Sequence, residues 1–248
     1  MKKLFLLAAG LGCFLFAQAQ QNSGVVVYEQ KTNMHKRMKD MTEEIKAMIP
    51  EFQTVQKELL FADNKTLYRT LKAEDIEMEG ESDGTKMQIR MTMPEEFLFR
   101  DYTAAQKTEQ REFLGRKFLI KDAITPMPWK VTGEQKVINN FPCMKAVMTN
   151  EEKEQEIEAW FTPTIPVKGG PDNFSQLPGM VMMVSINDGE VMYTATSVEF
   201  KAIETATLAE PTEGKEVTQA EFDRIVKEKM EEMGGNGKGA VIKIIKNE

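Results

Sequence analysis

The chain has 248 residues, with 39 acidic against 32 basic side chains and a formal net charge of −7. Its lysines and arginines are scattered, which excludes both a basic stripe for nucleic-acid phosphates and a polybasic segment for anionic lipid. Cys13 and Cys143 are its two cysteines, and Cys13 belongs to a removable leader, so a disulfide framework within the mature chain is excluded as well.

Met1 to Ala19 carries two lysines, an apolar run from Leu4 to Phe16, and Ala17-Gln18-Ala19, the small-x-small pattern that signal peptidase reads. Residues 1–19 are therefore expected to be a signal peptide, with the mature chain starting near Gln20. A run of about thirteen apolar residues is too short to span a bilayer as a helix, which takes about twenty. A lipidated Cys13 is disfavoured by Gly10, where a large aliphatic residue is usual, and by Phe14-Leu15-Phe16 continuing the run beyond it. No later stretch is apolar for long enough to form a membrane-spanning helix.

Residues 20–216 read as an antiparallel-sheet domain containing an early helix over 34–50. Gly24 to Gln30 is β-branched and aromatic, the mark of a strand. Met34, Met38, Met41, Ile45, Met48 and Ile49 then recur at helical spacing up to Pro50, an amphipathic stripe expected to face the core. His35, the single histidine, has lysine and arginine beside it and is expected to be solvated and without a partner. From Lys57 to Phe118 short alternating runs follow one another, as in Met87-Gln88-Ile89-Arg90-Met91, which predicts a meander with one face on a core and one in water. The acidic stretch from Asp75 to Lys86 is not a calcium loop, because Lys86 stands where a bidentate Glu is needed. Asn64-Lys65-Thr66 matches a glycosylation acceptor, and a tight hairpin explains it equally well.

Further strands are expected around Trp129 and Trp160, both read as buried aromatic anchors, and around Cys143, read as a small buried hydrophobe. Between two apolar runs lies a Pro/Gly stretch holding Pro163, Pro166, Gly169, Gly170, Pro171, Pro178 and Gly179, which predicts a stiff loop of defined shape. Met180–Ile186 reads as a strand covered on both faces, and Asn187-Asp188-Gly189 as a hairpin turn into an alternating run that ends at Phe200. Thr218 and Glu221 form a capping box, with Val217 and Phe222 as a hydrophobic staple, so a C-terminal helix is expected over 217–234. Residues 235–248 are left as a tail that adds a short edge strand or stays mobile.

Trp160-Phe161-Thr162-Pro163, Ile165-Pro166, Gly170-Pro171, Phe174 and Leu177-Pro178-Gly179-Met180-Val181 resemble the signature of the GLPGLI family of exported Bacteroidetes proteins. Lys117–Asp122, Trp129–Glu134 and the run through Cys143-Met144-Lys145-Ala146 stand in the order this resemblance implies. Two departures are visible: Gln176 replaces the first glycine of the motif, and Met180-Val181 replaces Leu-Ile. A positive φ at position 176 would then have to be tolerated by a residue with a Cβ. The resemblance implies a cell-envelope location, periplasmic or outer-membrane-associated. It also implies an α+β fold: a curved, mostly antiparallel sheet, a half-barrel similar to periplasmic lipoprotein carriers, with helices against the concave side. The alternation, the early and late amphipathic helices and the lack of a parallel βαβ unit agree with that class independently.

Nowhere does the sequence supply a nucleophile with a base, a metal-ligand cluster or a phosphate cradle, so no catalytic residue, metal or cofactor is assigned. The expected function is that of a non-catalytic envelope protein holding a hydrophobic small molecule or peptide-like partner in the sheet's concavity. Trp160, Phe161, Phe174, Leu177, Pro178 and Gly179 are its candidate contacts, and Pro163, Pro166, Gly170 and Pro171 the structural signature of the loop. The competing structural role for the same aromatics is to plug the open end of the sheet. One alternative is an accessory protein of an outer-membrane receptor or secretion system. Another is a carboxylate-based hydrolase using Asp122, Glu158 and Asp172, which the abundance of charged residues (29%) makes unspecific.

Overall fold

The computed structural model describes residues 22–37, 46, 47, 49–73, 76–82, 85–91, 96–151, 154–232 and 243–245. Residues 1–19, expected to be a signal peptide, residues 38–45 of the stretch expected to be an early helix, and most of the tail lie outside the described residues. In chain order the elements begin with β1 (Gly24–Asn33), α1 (Met34–Arg37), β2 (Phe52–Ala62), β3 (Lys65–Ala73), β4 (Ile76–Ser82), β5 (Thr85–Met91) and β6 (Phe97–Asp101). They continue with β7 (Gln106–Phe113), β8 (Arg116–Ala123), β9 (Lys130–Ile138), β10 (Phe141–Asn150), β11 (Gln155–Thr162) and β12 (Met180–Ile186). The last are β13 (Val191–Phe200), β14 (Lys215–Val217), α2 (Gln219–Glu232) and β15 (Lys243–Ile245).

Twelve strands form one sheet in the order β14-β8-β7-β6-β3-β2-β1-β13-β12-β11-β10-β9. Every neighbouring pair is antiparallel except β14 with β8. The smaller sheet β15-β5-β4 is antiparallel too, with β15 a short strand at its edge, one of the two alternatives left open for the tail. Three hairpins turn on residue pairs with positive φ, Asp63-Asn64, Leu114-Gly115 and Asn139-Asn140. Two consecutive left-handed residues match the right-handed twist of the flanking strands, which is why Asn and Gly stand there.

The sheet has to curve. β8 and β9 are ten strand spacings apart, about 48 Å along a flat sheet. The link from Ala123 to Lys130 spans seven residue steps, which reach about 25 Å at most. The two regions can be joined only if the sheet bends toward itself, and it remains open because the described residues show no pairing of β9 with β14.

Alternation assigns the faces. Thr66, Tyr68, Leu98, Arg100, Glu109, Arg111, Phe118 and Ile120 share the concave face by cross-strand register. Val25, Leu60, Ala62, Leu67 and Phe99 share the convex one, where Leu208 and Ile203 of the 201–214 segment cover them. That segment carries the chain across the back of the sheet from β13 to β14, held on the way by Thr108 Oγ1 donating to Glu210 at 2.6 Å.

α2 closes one end of the concave face. Its capping box is formed as expected: Thr218 N donates to Glu221 Oε2 at 2.8 Å, and Glu221 N to Thr218 Oγ1 at 3.2 Å. Val217 and Phe222 pack with Phe118 and Ile120, the Phe222 ring edge-on to Phe118 at 5.3 Å and to Phe113 at 6.3 Å. Burial of Phe222 contributes about 2–3 kcal/mol to docking the helix. At the other helix, Met34 is buried and Asn33 Oδ1 accepts from Lys36 N at 2.8 Å, an N-cap bond. His35 departs from expectation: it is half-buried, and its Nε2 bonds the carbonyl of Ile49 at 3.0 Å, pinning the segment that returns to β2.

Candidate functional site

The Pro/Gly loop, residues 163–179, lies along the concave face. At its start it takes the place of a strand. Ile165 O accepts from Met180 N at 3.0 Å and Gly169 O accepts from Val181 N at 2.9 Å, whereas β13 pairs with β12 only from Met183 to Ile186. Such close approach needs glycine. A Cβ on Gly170 would fall on the Phe174 carbonyl oxygen and lie 2.9 Å from Val181 Cβ, and one on Gly179, at φ +151°, would strike the Thr162 carbonyl.

Further along, the loop bridges distant strands. The guanidinium of Arg100 on β6 donates through Nη2 to the main-chain oxygen of Asp172 and, at 3.4 Å, to Asn173 Oδ1. Tyr193 OH on β13 donates to Asp172 Oδ2 at 3.1 Å, and Tyr28 OH on β1 to Val181 O at 2.6 Å. Trp129 Nε1 donates to Ser175 O at 3.0 Å and Gln176 Nε2 to Thr125 O at 2.7 Å, so the β8–β9 connector is fastened to the same loop. Gln176 has φ +71°, the left-handed conformation that its replacement of glycine made conspicuous.

The sequence-derived contact residues divide by exposure. Trp160, Phe161, Phe174, Leu177, Gly170, Pro171 and Gly179 are buried; Pro163, Pro166 and Pro178 are exposed. Phe174 (8% exposed) and Leu177 (2%) pack with Phe161, Val181, Val184 and Tyr193, while Ile165 and Val167 join Leu59, Trp160, Met180 and Met182. The loop's apolar side chains thus plug the sheet. Trp160 lies under two ammonium groups, Lys136 Nζ at 4.0 Å and Lys145 Nζ at 5.9 Å from the ring centroid, and its Nε1 donates to Glu158 at 2.7 Å. Cys143 is buried, and burial pushes its thiol up to about 11.

The three carboxylates of the hydrolase alternative are not brought together by any shared partner. Asp122 accepts from the following main-chain N–H, Glu158 pairs with Lys145 at 2.9 Å, and Asp172 belongs to the loop. Burial works against the Glu158 anion, yet Lys145 and Trp160 hold its carboxyl below the ordinary range. Among the described residues no group of three or more His, Cys, Asp and Glu side chains is placed to hold a metal ion.

What sequence reasoning missed is the polar patch under the loop. Arg100 is 2% exposed and Glu109 3%, the latter's Oε1 accepting from Arg111 Nε at 2.8 Å. Burial raises the Glu109 carboxyl; Arg111 opposes the shift, and Asp172 and Glu96 add to it. Burial likewise raises the hydroxyls of Tyr28, Tyr68 and Tyr193, the last two with Asp172 adding to the effect. In Phe97-Leu98-Phe99-Arg100, Arg100 is in phase with the inward Leu98, and that was the available signal. Gln106–Phe113 has no apolar phase before its last residue, so the direction of Glu109 could not be read.

These features define the class by architecture: an open, curved, twelve-stranded sheet with a loop fastened across its concave side. Residues 148–183 match the model of a protein family of unknown function, Porph_ging. The fold is similar to PNGF-II in two crystal forms. The TM-scores are 0.56 and 0.55 at 16% and 17% identity, over 83% and 82% of this chain and 33% and 32% of that one. The chain therefore spans about a third of the length of PNGF-II, and at that identity the likeness is one of fold. No curated protein matches the sequence.

Proposed function

We propose that this is an exported, non-catalytic protein of the cell envelope, similar to the GLPGLI family and to the half-barrel of periplasmic lipoprotein carriers. It takes a ligand or peptide-like partner on the concave face of its sheet, with the 163–179 loop as the rim. The observation that carries the reading is the loop itself, clamped from β6 to β13 above side chains whose polar atoms are left unsatisfied. Export rests on the leader pattern of Met1–Ala19. The family match over 148–183 coincides with β11, the loop and the start of β12, where the resemblance is most specific. Because Trp160, Phe161, Phe174 and Leu177 are buried, a hydrophobic occupant meets them only when the loop lifts, whereas Pro163, Pro166 and Pro178 are met first.

A photo-crosslinking residue at Pro166 or Pro178, expressed in the native envelope, tests this reading. Capture of one reproducible component is expected from both positions and not from the exposed Thr103. Equal capture from all three would overturn it.

The accessory-protein reading draws support from a separate feature. β9 ends the sheet, its outer edge has no strand neighbour among the described residues, and Val137 on it is 70% exposed. An open edge of nine residues is a template for strand addition by a protein partner.

A further inference from the structure

Six buried side-chain atoms among the described residues have no hydrogen-bond partner: Gln30 Oε1, Thr66 Oγ1, Tyr68 OH, Arg100 Nη1, Tyr102 OH and Glu109 Oε2. Native proteins leave few such atoms, so a group of them marks a place where something polar belongs. Four of the six are neighbours. Thr66 faces Arg100 across β3 and β6, Tyr68 faces Leu98 one pair along, and Leu98 faces Glu109 on β7. Direct and diagonal partners on one face stand about 4.5–8 Å apart. Arg100 is thus within side-chain reach of Thr66, Tyr68 and Glu109.

The charges are unevenly matched. Glu109 has Arg111, but Arg100 spends Nη2 on a carbonyl and an amide oxygen and meets no carboxylate among the described residues. A buried guanidinium without a counter-ion is strongly unfavourable. Its Nη1 has no partner, and neither do the hydroxyls of Thr66 and Tyr68 or the acceptor Glu109 Oε2 on the same face. Leu98 and Leu59 supply apolar flanks, and the ring of Tyr28 stands edge-on to Tyr68 at 6.1 Å.

We propose that this patch under the loop binds a small monocarboxylate that also carries a hydroxyl or N–H group. Arg100 and the two hydroxyls take the carboxylate, and Glu109 accepts from the second group. A monoanion suits the site better than a dianion. Arg111 already pairs with Glu109, so Arg100 is left to match one negative charge, and a second would be buried without a partner of its own. The inference names a ligand class for the concave face and rests on that face being a binding surface.

Calorimetric titration of the purified protein with lactate, propionate and inorganic phosphate tests it. Lactate is expected to bind, propionate about three- to tenfold more weakly for want of its hydroxyl, and phosphate not measurably. Arg100→Met should weaken lactate about ten- to a hundredfold by removing a charge-assisted bond. Arg100 also clamps the loop, so Thr66→Val is the second variant. It removes an unpartnered hydroxyl, leaves the clamp intact, and should cost about three- to tenfold in lactate affinity with the melting temperature unchanged. No heat from either carboxylate, affinities indifferent to both substitutions, or phosphate binding above lactate would overturn the site. Lactate binding with no component captured at Pro166 or Pro178 would sustain the site and overturn the partner reading; capture without carboxylate binding would overturn the site alone.

Discussion

The side-chain amide of Gln176 donates to the main-chain oxygen of Thr125 at 2.7 Å, so the loop is tied to the connector that joins distant strands of the curved sheet. Gln176 does this from a left-handed backbone conformation, φ +71°. The bond is worth about 1 kcal/mol and the conformation costs a residue with a Cβ about 1–2 kcal/mol. Gln176→Ala should therefore lose about 1 kcal/mol in urea denaturation, because it keeps the strain and loses the bond. Gln176→Gly, which loses both, should stay within about 1 kcal/mol of the parent. An alanine variant as stable as the parent would show that the tie contributes nothing.

Two glycines with different surroundings should respond differently to the same change. Gly170→Ala drives a methyl into the Phe174 carbonyl and the Val181 side chain, and is expected to cost about 3 kcal/mol or more. Gly115, at φ +73° in a hairpin with open space around it, should cost only about 1 kcal/mol. Equal losses in parallel denaturation curves would contradict the packing described for the loop.

Glu109 gives the fold a pH slope of known sign. Its carboxyl is raised in the folded state, chiefly by burial, so the native protein holds that proton to higher pH than the unfolded chain does. Ionisation of Glu109 then destabilises the fold progressively as pH rises above the ordinary value of about 4.5, and contributes nothing below it. Glu109→Gln should flatten the fall in stability above that pH. A variant curve parallel to the parent from pH 4 to 8 would show that Glu109 does not titrate as its surroundings imply.

Cys143 is buried, with its thiol pushed up to about 11, so little thiolate exists at neutral pH. Alkylation by iodoacetamide at pH 7.5 should be negligible in the folded protein and complete once it is unfolded in guanidinium. Rapid labelling of the native protein would contradict the packing described around β10.

Much of the fold was legible because its signals are local. Asn187-Asp188-Gly189 forms a turn with φ of 48°, 51° and 84°, and Met180–Ile186 is a covered strand. The Thr218 capping box is formed, and Cys143 and Trp160 are buried as their neighbours suggested. Three things were not legible. The partner of His35 is the Ile49 carbonyl, fourteen residues away, and no spacing rule specifies it. The place of the loop depends on Arg100 meeting Asp172 across 72 residues. The inward turn of Glu109 depends on the register of β7 against β6 and β8, and its own strand carries no apolar phase that would reveal it. The candidate site was therefore legible in its rim and not in its floor.

Native mass spectrometry of the protein purified gently from its own envelope tests the central claim, that the concave face holds a ligand or partner, most directly. The account predicts a stoichiometric bound mass whose occupancy falls in Thr66→Val and falls further in Arg100→Met. A parent protein of bare polypeptide mass, with no companion protein across repeated preparations, would contradict it.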